Sequence, residues 1–145
     1  MHMKSLPVVV MLALAAAMGA APQSVDEMKA HAEAATGAKQ IELYCDLAKR
    51  LLDLSDRDYI AGNVSHGQGL FFESATYAEK ASKEARESGK RLKQTEIALR
   101  KLTEKMQEIK RTLNLEDRAP LDSAIQQVEQ SRSKLLERMF GKEAR

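Results

Sequence analysis

Residues 87–92 read Glu-Ser-Gly-Lys-Arg-Leu, ESGKRL, and whether the chain runs straight through them or doubles back decides the fold. On both sides the apolar residues recur every three to four positions: Phe71, Ala75, Ala78, Ala81 and Ala85 before the glycine, then Leu92, Leu99, Leu102, Met106, Ile109 and Leu113 after it. That spacing is the signature of one buried helical face, and it keeps phase through Gly89. A hairpin there needs an N-cap after the glycine, and Lys90-Arg91-Leu92 contains none of Ser, Thr, Asp or Asn. The pattern therefore predicts one helix over 64–113, roughly 75 Å long at 1.5 Å per residue, straight or bent at Gly89. The alternative is a turn at Gly89, which folds the same segments into a compact up-and-down four-helix bundle.

Upstream, Ile41, Cys45, Ala48, Leu51 and Leu52 mark a helix over about 38–61, ended by Gly62-Asn63, residue types suited to a helix stop and a turn. Downstream, the polar break NLEDRA (114–119) leads to Pro120 and a last amphipathic helix over about 120–140, with Leu121, Ile125, Val128, Leu135 and Met139 on one face and Gly141 as its stop. The two shorter helices laid end to end match the long one, so the expected form is elongated hairpins around a central helix. In both arrangements the class is all-α. The composition agrees: Trp is absent, aromatics are 4% and charged residues 30% of the chain, which suits amphipathic helices with aliphatic cores.

The N-terminal stretch over 1–21 carries Lys4, an apolar run from Leu6 to Met18 and then small residues, the layout of a secretory signal peptide. The run is shorter than the ~20 residues of a permanent membrane span. Cleavage after Gly19 or after Ala21 fits, and the expected location is periplasmic or secreted. A polar segment, 22–37, follows, in which Ser24-x-x-Glu27 can cap a short helix. Residues 38–141 form the single helical domain and 142–145 a tail. Cys45, the one cysteine, excludes an internal disulfide. Its helical neighbours predict a buried, inert thiol, with an intermolecular bridge as the other reading.

The stretch GNVSHGQGLFF (62–72) invites a phosphate-loop reading that its chemistry does not support. Gly62 and Gly67 have the right separation, but Gln68-Gly69 stand where Lys and Ser or Thr must meet the anion. The residues read instead as a helical corner, with Gly62, Asn63 and Gly67 as turn and close-packing positions. At this corner Leu51, Leu54, Tyr59, Gly62, Val64, Gly67 and Phe71 resemble a tetratricopeptide-like helical hairpin. The match covers one copy of about 34 residues, and Ser55 and Ser74 depart from the repeat's usual small residues. As a whole the chain resembles an uncharacterised group of exported bacterial helical proteins. The group implies no activity, and the hairpin implies peptide or protein binding.

Candidate chemistry is sparse. No Ser, His and Asp are placed on a strained turn, and the carboxylates alternate with Lys and Arg as on solvated helix faces. No catalysis and no cofactor are expected. His31 and His66 lie on different segments and lack a second His or Cys three or four residues away. A haem or metal carrier using a Met and a His is the alternative function, although Met106 and Met139 lie on core stripes. The clearest asymmetry is charge: from Glu79 to Arg111 eleven cations face six glutamates, within a chain of formal charge +2. Lys80, Lys83, Arg86, Lys90, Arg91 and Lys93 are the candidate partner-binding residues, steering a protein partner or an acidic envelope surface. Nucleic acid is disfavoured by the lack of interleaved aromatics. Between Ala75 and Ser88 the stripe contains only Ala and Ser, a thin waist that is either packed or open to a partner, self-association included. The expected function is an exported, non-catalytic helical scaffold or interaction module.

Overall fold

A computed structural model describes residues 23–141. The expected signal peptide over 1–21 and the tail over 142–145 lie outside the described residues. Those described are all-α, without strands. The helices are α1 (Val25–Ala34), α2 (Gly37–Ile60), α3 (Val64–Ser88), α4 (Leu92–Arg111), the single-turn α5 (Leu115–Arg118) and α6 (Leu121–Phe140).

The chain doubles back at ESGKRL, so the expected single helix over 64–113 is two helices, and the compact up-and-down bundle is the arrangement found. Gly89 closes α3 in the left-handed region at φ +72° and donates its N–H to the Ala85 carbonyl, while Arg91 is also left-handed at φ +52°. Ser88 Oγ accepts the Lys90 N–H at 3.2 Å, stitching the turn. α4 starts with no side-chain cap, as the residue types dictate. A missing cap costs only about 1 kcal/mol, and a left-handed arginine a similar amount. Burying the apolar faces of two helices against other helices outweighs both. The unbroken phase of the stripe was a coincidence of spacing.

α2 and α3 form an antiparallel hairpin. Ser55 Oγ donates to the Gly67 carbonyl at 2.6 Å and Ser74 Oγ to the Ala48 carbonyl at 2.7 Å. α4 and α6 form a second antiparallel hairpin, with Lys110 Nζ 2.5 Å from Asp122 and Arg132 Nε 2.6 Å from Glu96. The hairpins stack so that like directions meet. α3 runs parallel to α6, as the pairs Glu79–Gln127 at 2.5 Å and Ser82–Ser131 at 2.8 Å show. α2 runs parallel to α4, with Asp56 3.1 Å from Lys105. α1 lies back along α2 and α3. Ser24 Oγ caps it by accepting the Glu27 N–H at 3.1 Å, which realises the serine half of the expected capping box.

The core joins Phe71, Leu47, Leu51, Leu99, Met106, Leu121 and Leu135, all at most 1% exposed. The Ala-rich waist belongs to it: Ala75, Ala78, Ala81 and Ala85 are each 0% exposed. The small residues let neighbouring backbones approach closely and are not a partner surface, which corrects the open reading of the waist. Every buried side-chain polar atom among the described residues has a hydrogen-bond partner.

Candidate functional site: the groove between α2 and α4

The corner at 62–67 is structural. Gly62 turns the chain at φ +86°, and the Asn63 N–H donates to the Asp58 carbonyl at 2.8 Å. Asn63 precedes α3 without a side-chain cap bond, so it serves the turn rather than the cap. At Gly67 a Cβ would stand 3.2 Å from the Tyr59 ring and 3.3 Å from the Ser55 carbonyl oxygen. That is the close approach expected of a helix crossing, and no phosphate cradle is formed. His66 is engaged in a hydrogen bond to Asp58.

The six candidate cations are not gathered on one face. Lys80 is paired across the surface, 2.9 Å from Glu33 of α1 and 5.1 Å from the centre of the Tyr77 ring. The Glu33 bond raises the Lys80 pKa and Lys80 lowers that of Glu33. Arg86 donates to Ser82 Oγ at 3.2 Å and is half-buried. Lys83 is exposed near the C-terminal end of α3, while Lys90, Arg91 and Lys93 sit at the turn, with Lys90 and Lys93 exposed and Arg91 half-buried. Those last three crown the bundle end where α2 and α4 both begin, so the unfilled N–H groups of two helix starts add to their positive field.

Directly below that end, α2 and α4 part to leave a groove of about 450 Å³. Its floor is aliphatic, with Leu52 and Leu99 1% exposed and Leu102 6%. Ile97 and Ala98 line its α4 wall, half-buried. The charged groups are sorted by wall: α2 contributes Asp46, Asp53 and Lys49, α4 only Lys101 and Lys105. Burial first, and then the neighbouring Glu42, push the Asp46 carboxyl above its ordinary range.

Cys45 lines the same groove. It is half-buried rather than enclosed, and desolvation pushes its thiol up to about 11 against the pull of Arg91 and Thr95. A thiol raised that far holds little of the thiolate, the nucleophilic form, at neutral pH, while its partial exposure leaves it within reach of the groove.

Sequence periodicity missed the groove because it exists only once α2 and α4 are side by side, which the turn at Gly89 brings about. No group of three or more His, Cys, Asp and Glu among the described residues could hold a metal ion. Met106 is enclosed at 0% exposure, Met139 is half-buried, and His31 and His66 are exposed and bonded to Gln23 and Asp58. No helix among the described residues is long and apolar enough to cross a membrane. Comparison with protein-family models, with curated proteins and with solved structures finds no match to this chain.

Proposed function

We propose that this bundle is a non-catalytic protein-interaction module of the exported compartment, which takes an apolar segment of a protein partner into the α2–α4 groove. The observation that carries the reading is the groove itself: an aliphatic floor about three helical turns long, from Gln94 to Lys105, flanked by charges that can fix orientation. Lys90, Arg91 and Lys93 at its head add a positive field that speeds encounter with an acidic partner. The resemblance of the α2–α3 corner to a tetratricopeptide hairpin points to the same class of function, and the leader-like stretch over 1–21 supports the compartment.

The test is capture from the source organism's envelope with the wild-type chain and two variants. Ala98→Trp fills the groove, and the combined Lys90→Glu, Arg91→Glu, Lys93→Glu reverses the charge at its head. Loss of a captured protein with the first and slower, salt-insensitive capture with the second is the expected pair of results. An unchanged set of captured proteins with Ala98→Trp in a chain that keeps its helicity contradicts the reading.

A further inference from the structure

We propose that the groove is the interface of a two-fold homodimer, in which α2 of each copy lies against α4 of the other with the helices parallel. This rests on the reading of the groove as a docking face and names its occupant as a second copy of this chain.

Within one copy α2 and α4 run in the same direction: Cys45 is beside Thr95 at one end of the groove, and Asp56 is 3.1 Å from Lys105 at the other. Asp53 is therefore level with Leu102, between Lys101 and Lys105. A two-fold axis along the groove preserves height and exchanges the walls, so each α2 faces the partner's α4. Asp53 then meets the partner's Lys101, and Lys101 meets the partner's Asp53.

The sorting of charge by wall makes this self-complementary. Both groove-lining acids come from α2, and both charged residues on the α4 wall are lysines. Lys49, the one cation on the α2 wall, falls opposite the partner's Ala98, whose single methyl leaves room for its stem. An axis across the helices would set Asp46 against the partner's Asp53, like against like, a juxtaposition that interfaces avoid.

The floor leucines are already 1–6% exposed within one copy, so the half-buried Ile97, Ala98 and Cys45 supply the apolar contact and the charges supply the register. A face about 30 Å long and about 20 Å wide offers roughly 600 Å² per copy, somewhat under the ~800 Å² per partner of a standard stable interface. The dimer is accordingly reversible, micromolar or weaker, and salt-sensitive.

Charge exchange tests this sharply, using the protein as cells process it. Sedimentation velocity over micromolar to millimolar concentration compares wild type, Asp53→Lys, Lys101→Asp, and an equimolar mixture of the two variants, each checked for unchanged helicity. Wild type is expected to dimerise, each variant alone to lose at least tenfold in affinity, and the mixture to recover to within about threefold of wild type. Recovery is expected because the lysine introduced by Asp53→Lys in one copy then meets the aspartate introduced by Lys101→Asp in the other. Alkylation of Cys45 reports the same interface, slowing with concentration in wild type and not in either variant. A wild type that stays monomeric throughout, or a dimer indifferent to both substitutions, overturns the homodimer. The docking reading fails separately, by unaltered capture with Ala98→Trp.

Discussion

Arg132 Nε of α6 donates to Glu96 Oε2 of α4 at 2.6 Å, and Arg100 Nη2 approaches the other carboxylate oxygen at 3.3 Å. Glu96 is 8% exposed, so this charged group is enclosed at the seam of the second hairpin and depends on its partners. Replacing Arg132 by Ala leaves the carboxylate with its weaker contact alone. Charged hydrogen bonds of this kind are worth about 1.5–3 kcal/mol, and a loss of about 2 kcal/mol is expected from urea unfolding of Arg132→Ala. A loss under about 0.5 kcal/mol would mean the pair is solvated and unimportant.

Two glycines in α3 should respond in opposite directions. A side chain at Gly67 runs into the Tyr59 ring and the Ser55 carbonyl, whereas a Cβ at Gly69 meets nothing within 4 Å. Gly67→Val should cost about 2 kcal/mol or more through overpacking. Gly69→Ala should add about 0.5–1 kcal/mol by removing a flexible residue from a helix interior. Thermal unfolding of both variants decides it, and equal effects would place the α2–α3 crossing elsewhere.

The helical class, the ends of α2 and α6 and the role of Gly67 were legible because each follows from local chemistry: a period of apolar residues, a glycine stop, a small residue at a crossing. The turn at Gly89 was not. Its two signals conflict, a glycine suited to the left-handed region against an absent N-cap and an unbroken apolar phase, and the deciding energy is tertiary burial that no six-residue window contains. The groove inherits that blindness. Lys80 shows the same limit for charge, since a cation counted toward a binding stretch is bonded to Glu33, 47 positions away in the chain.

The attachment of α1 should depend on pH at both extremes. Glu33 has its pKa lowered from 4.5 by the Lys80 bond, so its contribution is present above 4.5 and is lost as pH falls through the lowered folded value. Lys80 has its pKa raised from 10.5 by the same bond, so its contribution is complete below 10.5 and is lost as pH rises through the raised value. Hydrogen exchange over 25–34 should therefore accelerate, relative to the bundle helices and beyond the intrinsic pH effect, in acid below about pH 4. Glu33→Gln should reduce that acid-side change, leaving the share of the second α1 anchor, Lys29 Nζ 2.5 Å from Glu73, and an acid-side change undiminished in Glu33→Gln contradicts the assignment.

Cys45 should alkylate as a thiol with its pKa shifted by burial. Its folded value of about 11 against an ordinary 9.0 means that folding favours the protonated form, so this contribution to stability is complete below pH 9 and declines as pH rises toward 11. The alkylation rate of the folded protein should still be climbing at pH 10, whereas the urea-unfolded chain levels off about one unit above 9. Superimposable profiles would show that Cys45 is solvated.

The reversal of the chain at Gly89 carries both the bundle and the groove, and one distance tests it. Spin labels at Ser65 and Arg111, both exposed, in a Cys45→Ala background mark the far ends of α3 and α4. In the bundle these ends share one side, and packed helix axes 8–10 Å apart place the labels within about 30 Å of each other. Pulsed dipolar spectroscopy should give a single distribution in that range. A distance of about 69 Å, the rise of one continuous helix between those positions at 1.5 Å per residue, would contradict the fold and remove the groove with it.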